Sequence, residues 1–186
     1  APHLPGAMTN GDLYPDFAWA IGPYVAPSYF NPEEPVRLDL GVEAAASYRP
    51  APGWTIAGSL QHRLWGNVGE NSQPSNSKLP KVRTNGALYA DRATTALNTA
   101  YVSKRWKPGN DLYARVSLGY FERMFGGLST ELLWKPVDSN LALGVEANYV
   151  KQRDFDGGVG FQDYSVATGH VSAYYEFGGG YHGQLD

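Results

Sequence analysis

Apolar and polar residues alternate along most of the chain with a period of two. In the stretch LALGVEANY, Leu141, Leu143 and Val145 alternate with Gly144 and Glu146. A period of two places successive side chains on opposite faces of a β-strand. The pattern therefore predicts strands that carry one continuous apolar face and one face of charged and small residues.

Eight segments show this alternation, and most of them exceed the ~5–6 residues of ordinary strands. Their lengths match the ~9–11 residues of a tilted strand that crosses a membrane. The predicted strands are 18–28, 36–48, 54–64, 94–106, 112–123, 127–134, 141–152 and 164–177. Tight turns rich in Pro, Gly, Asn and Asp follow the second, fourth and sixth strands, whereas polar loops at 65–93 and 153–163 are longer. This asymmetry, with aromatic residues near the strand ends, is typical of outer-membrane barrels.

The predicted fold class is therefore all-β, an antiparallel up-and-down β-barrel of the outer-membrane type or part of a larger one. We expect a flexible N-terminal segment at 1–16, a barrel domain or barrel portion at 17–178, and a C-terminal tail at 179–186.

Composition and charge exclude several other functions. The net charge of -3 gives no electrostatic footprint for nucleic acid. The absence of cysteine excludes disulfides, zinc-thiolate sites and thiol catalysis. The four histidines have no metal-ligand spacing, and no nucleophile or phosphate-binding motif is present, so we expect no cofactor and no metal. No apolar run approaches the ~20 residues of a membrane helix, and the first residues do not read as a signal peptide.

One candidate site follows from assumed strand pairing. We pair Arg123 with Ser129, Ser129 with Glu146, and Glu146 with His170 across successive connections. This register brings six polar residues to one face at neighbouring levels. They are Arg123, Glu131, Glu146, Asn148, Thr168 and His170.

Three interpretations of this cluster remain open. It is a polar groove that binds sugar hydroxyls, a carboxylate pair for glycoside chemistry, or an ion-pair network that fills a barrel interior. A second candidate is the basic loop with Lys78, Lys81 and Arg83, which either meets an acidic polysaccharide or a lipopolysaccharide phosphate or is an ordinary solvated loop. The segment 151–156, KQRDFD, suggests a salt-bridge cluster at the rim.

Three stretches resemble the YjbH-type exopolysaccharide proteins of Gram-negative outer membranes. They are SKLPKVRTNGALY, LGYFERMFGGLSTELLWKP and LGVEANYVKQRDFDGGVGFQDYSVATGHVSAYY, whereas the first dozen residues do not fit. The resemblance implies an outer-membrane β-barrel lipoprotein or integral protein that takes part in secretion or assembly of an extracellular polysaccharide. Members of the family are longer, so we expect this chain to be a portion of a larger protein.

The resemblance also sets the expected function and partners. We expect a non-enzymatic passage or scaffold in the bacterial outer membrane, in contact with outer-membrane lipid, extracellular polysaccharide and other exopolysaccharide-secretion proteins, and with no nucleic acid. The alternatives are a soluble or periplasmic β-sheet module that binds polysaccharide, and a carbohydrate-active enzyme.

Overall fold

One antiparallel sheet with a single short helix makes up the described part of the chain. The computed structural model describes residues 13–29, 35–70, 85–177 and 181–185. The strands are β1 (Asp16–Tyr29), β2 (Val36–Arg49), β3 (Trp54–Gly66), β4 (Thr95–Gly109), β5 (Leu112–Tyr120), β6 (Phe125–Trp134), β7 (Leu141–Arg153), β8 (Phe161–Phe177) and β9 (Tyr181–Leu185), and helix α1 (Gly86–Arg92) lies between β3 and β4. Each strand pairs with its sequence neighbours, in the order β1 to β9. The antiparallel up-and-down fold is confirmed, with the sheet open between β1 and β9 across the described residues.

Two features of the predicted strand set differ from the structure, namely the C-terminal tail and the end of β5. Strand β9 lies in the segment that we predicted as a tail, and it pairs with the end of β8 from Ala173↔Leu185 to Phe177↔Tyr181. Its five residues are too few for alternation to reveal a strand. Strand β5 ends at Tyr120 instead of continuing to 123, because the backbone N–H groups of Phe121 and Glu122 both donate to the carbonyl of Phe125.

The sheet buries part of its polar face and exposes large side chains on its apolar face. Arg37, Ser103 and Ser117 are at most 4% exposed, whereas Leu64 and Val171 are 68% and 71% exposed. Further large apolar side chains are exposed on every strand from β1 to β8; they include Ile21, Leu40, Ile56, Trp106, Leu118, Leu132, Val145 and Tyr175. A water-soluble fold buries apolar surface instead, so this distribution requires an apolar surrounding or partner for the exposed face.

Helix α1 packs on the polar side of the sheet and forms its small apolar core. Tyr89 clusters with Met124 and Phe125, and its ring lies 4.8 Å from that of Phe155 in an edge-on contact. We predicted only a polar loop here, because seven residues are too few to establish a helical period. No helix in the described ranges is long and apolar enough to cross a membrane.

The turn between β2 and β3 generates a stability prediction. Gly53 has φ of 77°, and a Cβ built there would lie 2.1 Å from the carbonyl oxygen of Arg105. Its own carbonyl accepts the Arg105 N–H at 2.8 Å. We expect Gly53→Ala to lower the free energy of unfolding by about 2 kcal/mol or more, through left-handed strain and backbone clash. Urea unfolding of the refolded protein, followed by tryptophan fluorescence, measures the loss.

Gly22→Ala is the matched control, since a Cβ on this β1 residue meets nothing within 4 Å. We expect it to leave the unfolding midpoint unchanged or slightly higher. Equal losses for the two variants would contradict the assigned turn geometry.

Candidate functional site

Two rows of polar side chains cross the polar face of β4 to β8, one residue from each strand. The first, which we name the charged rung, follows the observed pairing and consists of Arg105, Arg115, Glu131, Glu146 and His170. The second, the hydroxyl rung, is two residues along each strand and consists of Ser103, Ser117, Ser129, Asn148 and Thr168. Because partners in an antiparallel sheet lie side by side, each rung is a continuous line of polar groups.

Arg115 is the centre of the charged rung. Its Nε donates to Glu131 Oε2 at 2.9 Å, and its terminal nitrogen lies 3.3 Å from Glu146 Oε2. Asn148 Nδ2 then donates to Glu146 Oε1 at 2.7 Å and lies 3.4 Å from Thr168 Oγ1. The network thus links the two rungs and holds both carboxylates in fixed orientations.

The hydroxyl rung lines a cavity beside this network. Ser103 and Ser117 are buried and share a hydrogen bond of 2.9 Å, and Ser129 is also buried. A cavity of about 570 Å³, the main cavity, is bounded by the whole hydroxyl rung, by Arg105, Arg115 and Glu146, and by aromatic residues that include Tyr101, Phe121 and Phe125. Hydroxyl and amide groups next to aromatic rings match the mixed polar and apolar surface of a sugar.

Further cavities continue from the main cavity along the polar face. A side cavity of about 360 Å³ shares Arg105 and Arg115 with the main cavity. Glu131 borders this side cavity and also a third hollow of about 520 Å³. Cavities that share walls in this way form a trough suited to an extended ligand.

The structure brings five of the six predicted site residues together and separates Arg123 from them. Glu146 pairs with His170 as we assumed, and Asn148 pairs with Thr168. Ser129 pairs with Asn148 instead of Glu146, a shift of two residues that places Glu131 beside Glu146. His170 is exposed and borders a smaller cavity with Glu131 and Glu146.

Arg123 lies in the turn between β5 and β6, so the predicted pairing with Ser129 is wrong. The observed hairpin pairs Ser117 with Ser129. The guanidinium of Arg123 instead donates to the backbone carbonyls of Tyr89 and Ala93, at the end of α1. Burial lowers the pKa of Arg123 and is the main cause of the shift. Arg123 therefore fastens the helix to the sheet and is not part of the rungs.

Sequence reasoning missed Arg115 and Arg105 as site residues. The alternation in β5 places Arg115 on the polar face, but the predicted strand was extended to 123 and its pairing with β6 was therefore wrong. The sequence signal that could have placed the turn is the Gly126–Gly127 pair, since Gly127 opposes Gly119 in the observed hairpin. Lys78, Lys81 and Arg83 lie outside the described residues.

The position of Arg153 at the end of β7 differs from the rim salt-bridge cluster that we predicted for 151–156. Arg153 is fully buried, and its guanidinium donates to the carbonyls of Asn98, Glu122 and Gly158 at 3.3, 2.6 and 2.8 Å. The guanidinium carbon of Arg153 also lies 4.6 Å from the ring centroid of Tyr120. The residue therefore binds backbone carbonyls of three segments.

Comparison with known proteins now identifies the family. A family model described as "Exopolysaccharide biosynthesis protein YbjH" matches residues 4–186. The chain belongs to the YjbH exopolysaccharide biosynthesis family. The match begins at residue 4 and so includes most of the first dozen residues, which we had predicted not to fit the family.

A relative of this YjbH chain comes from Escherichia coli (strain K12) and is described as "Uncharacterized lipoprotein YjbH". The two are 37% identical over 165 residues, which cover 86% of this chain and 24% of the relative. The chain thus spans about a quarter of that protein's length. No solved structure matches the chain.

The charged rung gives a prediction for this YjbH-family chain. We expect Arg115→Gln to lower the free energy of unfolding by about 1 kcal/mol, because two partly exposed carboxylates lose their shared cation. Adding Glu131→Gln and Glu146→Gln should restore most of the loss, since no unpaired charge then remains. Urea midpoints of the single, double and triple variants measure this coupling.

Arg105→Gln on the same rung is the control, with an expected change below about 0.5 kcal/mol. If the losses of stability of the three single variants simply add in the triple variant, the network is contradicted.

The contact of Arg123 with α1 gives a second prediction. Arg123→Gln should speed hydrogen exchange of the backbone amides in 88–93, because α1 loses its donor to the Tyr89 and Ala93 carbonyls. Mass spectrometry of peptides from this region measures the rate. The control is Arg92→Gln, which removes an exposed cation of the same helix. Unchanged protection in Arg123→Gln would show that the core around Tyr89 holds the helix without this arginine.

Proposed function

We propose that the chain is part of the wall of an outer-membrane β-barrel that takes part in exopolysaccharide secretion or assembly as a passage or scaffold. One observation carries the proposal, namely that large apolar side chains are exposed along the sheet while arginines and serines are buried on its other face. A barrel wall in lipid has this distribution, because its outer residues meet hydrocarbon and its inner residues meet water. Family membership in exopolysaccharide biosynthesis supports the substrate class.

Strand length and the placement of aromatic residues support a membrane-facing wall. Strands β1 to β4 have 13 to 15 residues, enough to cross the hydrocarbon core at a tilt. At the end with the short turns, Trp54, Trp106 and Trp134 are exposed, and Lys104 Nζ lies 4.9 Å from the ring centroid of Trp54. Tryptophan and lysine in this combination are typical of the headgroup region. The description of the Escherichia coli relative as a lipoprotein supports an envelope location.

The inner face supports a role in contact with polysaccharide. The hydroxyl rung offers hydroxyl and amide groups in a line, and the trough of connected cavities has the shape that a chain of sugars requires. We propose the other exopolysaccharide-secretion proteins of the family's pathway as partners of the longer protein.

A non-enzymatic role is favoured by the way the carboxylates are held. Glu131 and Glu146 both bind the guanidinium of Arg115. An inverting or retaining glycosidase needs one carboxyl group that donates a proton. Because one guanidinium bridges both carboxylates, this pair suits a filled polar interior better than catalysis.

Insertion into detergent tests the proposal directly. We expect the protein to fold in detergent micelles or vesicles, as a species that runs fast on a cold SDS gel and shifts on boiling, and to remain unfolded in buffer alone. Val171→Arg places a charge on the exposed apolar face of β8 and should cost about 2–4 kcal/mol near the bilayer centre. Urea unfolding in vesicles measures that cost.

Thr168→Arg is the matched control on the opposite face of the same strand, beside Asn148 and the charged rung. We expect it to fold and insert as the unmodified chain does. A stable folded monomer in buffer, whose free energy of unfolding is unchanged by Val171→Arg, would contradict the membrane wall. It would favour a soluble module that binds polysaccharide.

A further inference from the structure

The charged rung contains two arginines directly opposite each other, and only one of them binds acidic side chains. Arg105 and Arg115 are cross-strand partners of β4 and β5. Like charges in this position are destabilising unless a counter-charge is present. Arg115 has both Glu131 and Glu146 as counter-charges, whereas the guanidinium of Arg105 contacts no carboxylate among the described residues.

Arg105 is held at the boundary of two cavities with its side chain exposed. It borders both the main cavity and the side cavity. Its backbone N–H is fixed by the carbonyl of Gly53, so the position of the residue is set by the turn between β2 and β3. Lys107, also exposed, borders the side cavity and lies 5.5 Å from the ring centroid of Tyr113. Two cations that bind no carboxylate of the described residues thus lie along one side of the trough.

We infer that the trough binds an acidic polysaccharide and that Arg105 pairs with the carboxylate of one of its sugars. The inference rests on the proposed function and narrows its substrate class to polymers that carry uronate or similar acidic groups. A guanidinium presents a planar pair of N–H donors that matches a carboxylate. Of the hydroxyl rung, the accessible side chains are Asn148 and Thr168, which lie two residues along β7 and β8 from the charged rung and face the neutral hydroxyls of the same or the next sugar.

The two glutamates of the charged rung are already engaged, while Glu122 also borders the main cavity and Glu176 borders the third hollow. Glu131 and Glu146 both orient toward Arg115, and Glu146 also accepts the Asn148 amide. The local imbalance therefore lies on the β4 side, where Arg105 and Lys107 border the cavities. Recognition is predicted to be asymmetric across the trough, with acidic groups of the polymer on β4 and hydroxyl groups on β7 and β8.

Calorimetric titration of the detergent-refolded protein tests this inference. The probes are an oligogalacturonate and a neutral malto-oligosaccharide of the same length. We expect the acidic probe to bind more tightly and to lose affinity as NaCl is raised. Arg105→Gln should weaken binding of the acidic probe about tenfold or more and leave the neutral probe unchanged. Arg105→Lys should restore part of the affinity, because the charge returns without the planar fork.

The matched control is Lys104→Gln, which removes the next cation along β4 on the opposite face of the sheet, where it contacts Trp54 and the Pro52 carbonyl. We expect it to bind both probes as the unmodified protein does. Equal binding of the two probes, or full affinity in Arg105→Gln, would overturn the acidic preference and leave the polysaccharide role standing. Absence of binding by either probe would overturn the inference too, and the cold SDS gel reports separately whether the membrane wall has formed.

Discussion

The structure depends on one buried guanidinium that binds backbone carbonyls from three separate segments. Arg153 joins β4 through Asn98, the turn after β5 through Glu122, and the connection after β7 through Gly158. Its own carbonyl accepts the Tyr89 hydroxyl at 2.5 Å and the Gln162 amide at 2.8 Å, so α1 and the start of β8 are tied to the same residue. A buried guanidinium without such acceptors would cost several kcal/mol. The interior end of the sheet therefore has only one compatible arrangement of its loops around this side chain.

The sheet was predictable from sequence because its alternation is long, whereas its interior was not. Strands β2, β3 and β7 begin at the predicted residues, since a tight turn or an apolar alternation marks each start. Register was harder to predict than strand position. Glu146 does pair with His170, but Ser129 pairs with Asn148 instead of Glu146 although the connection between β6 and β7 was predicted with the correct bounds, and the short turn after β5 was misplaced and Arg123 with it. A register depends on turn geometry, which the alternation of residues along a strand does not specify. Helix α1 and the burial of Arg153 depend on tertiary contacts, which no local pattern encodes.

The two rungs explain why the polar face tolerates so many charges. Arg115 satisfies two carboxylates, and Asn148 carries the hydrogen bonding on to Thr168. Ser103 and Ser117 satisfy one another, and the small side chains leave the space that the main cavity occupies. A row of large side chains on the same face would close that space. Small hydroxyl residues on one rung and charged residues on the next therefore produce both an open trough and a hydrogen-bonded network beside it.

The strictly sequential pairing of the strands has a consequence for how the chain is assembled. Every strand from β2 to β8 finds both of its partners immediately before and after it in sequence. The loops that must close are therefore short for most pairs, and contact order is low for a β-protein, which favours rapid formation of each hairpin. The exception is the junction of β3 with β4, whose connection contains α1. Growth of the sheet from the β4–β8 side would form both rungs before β1, β2 and β3 are added, so the surface that carries the rungs would be complete before the remaining strands join it.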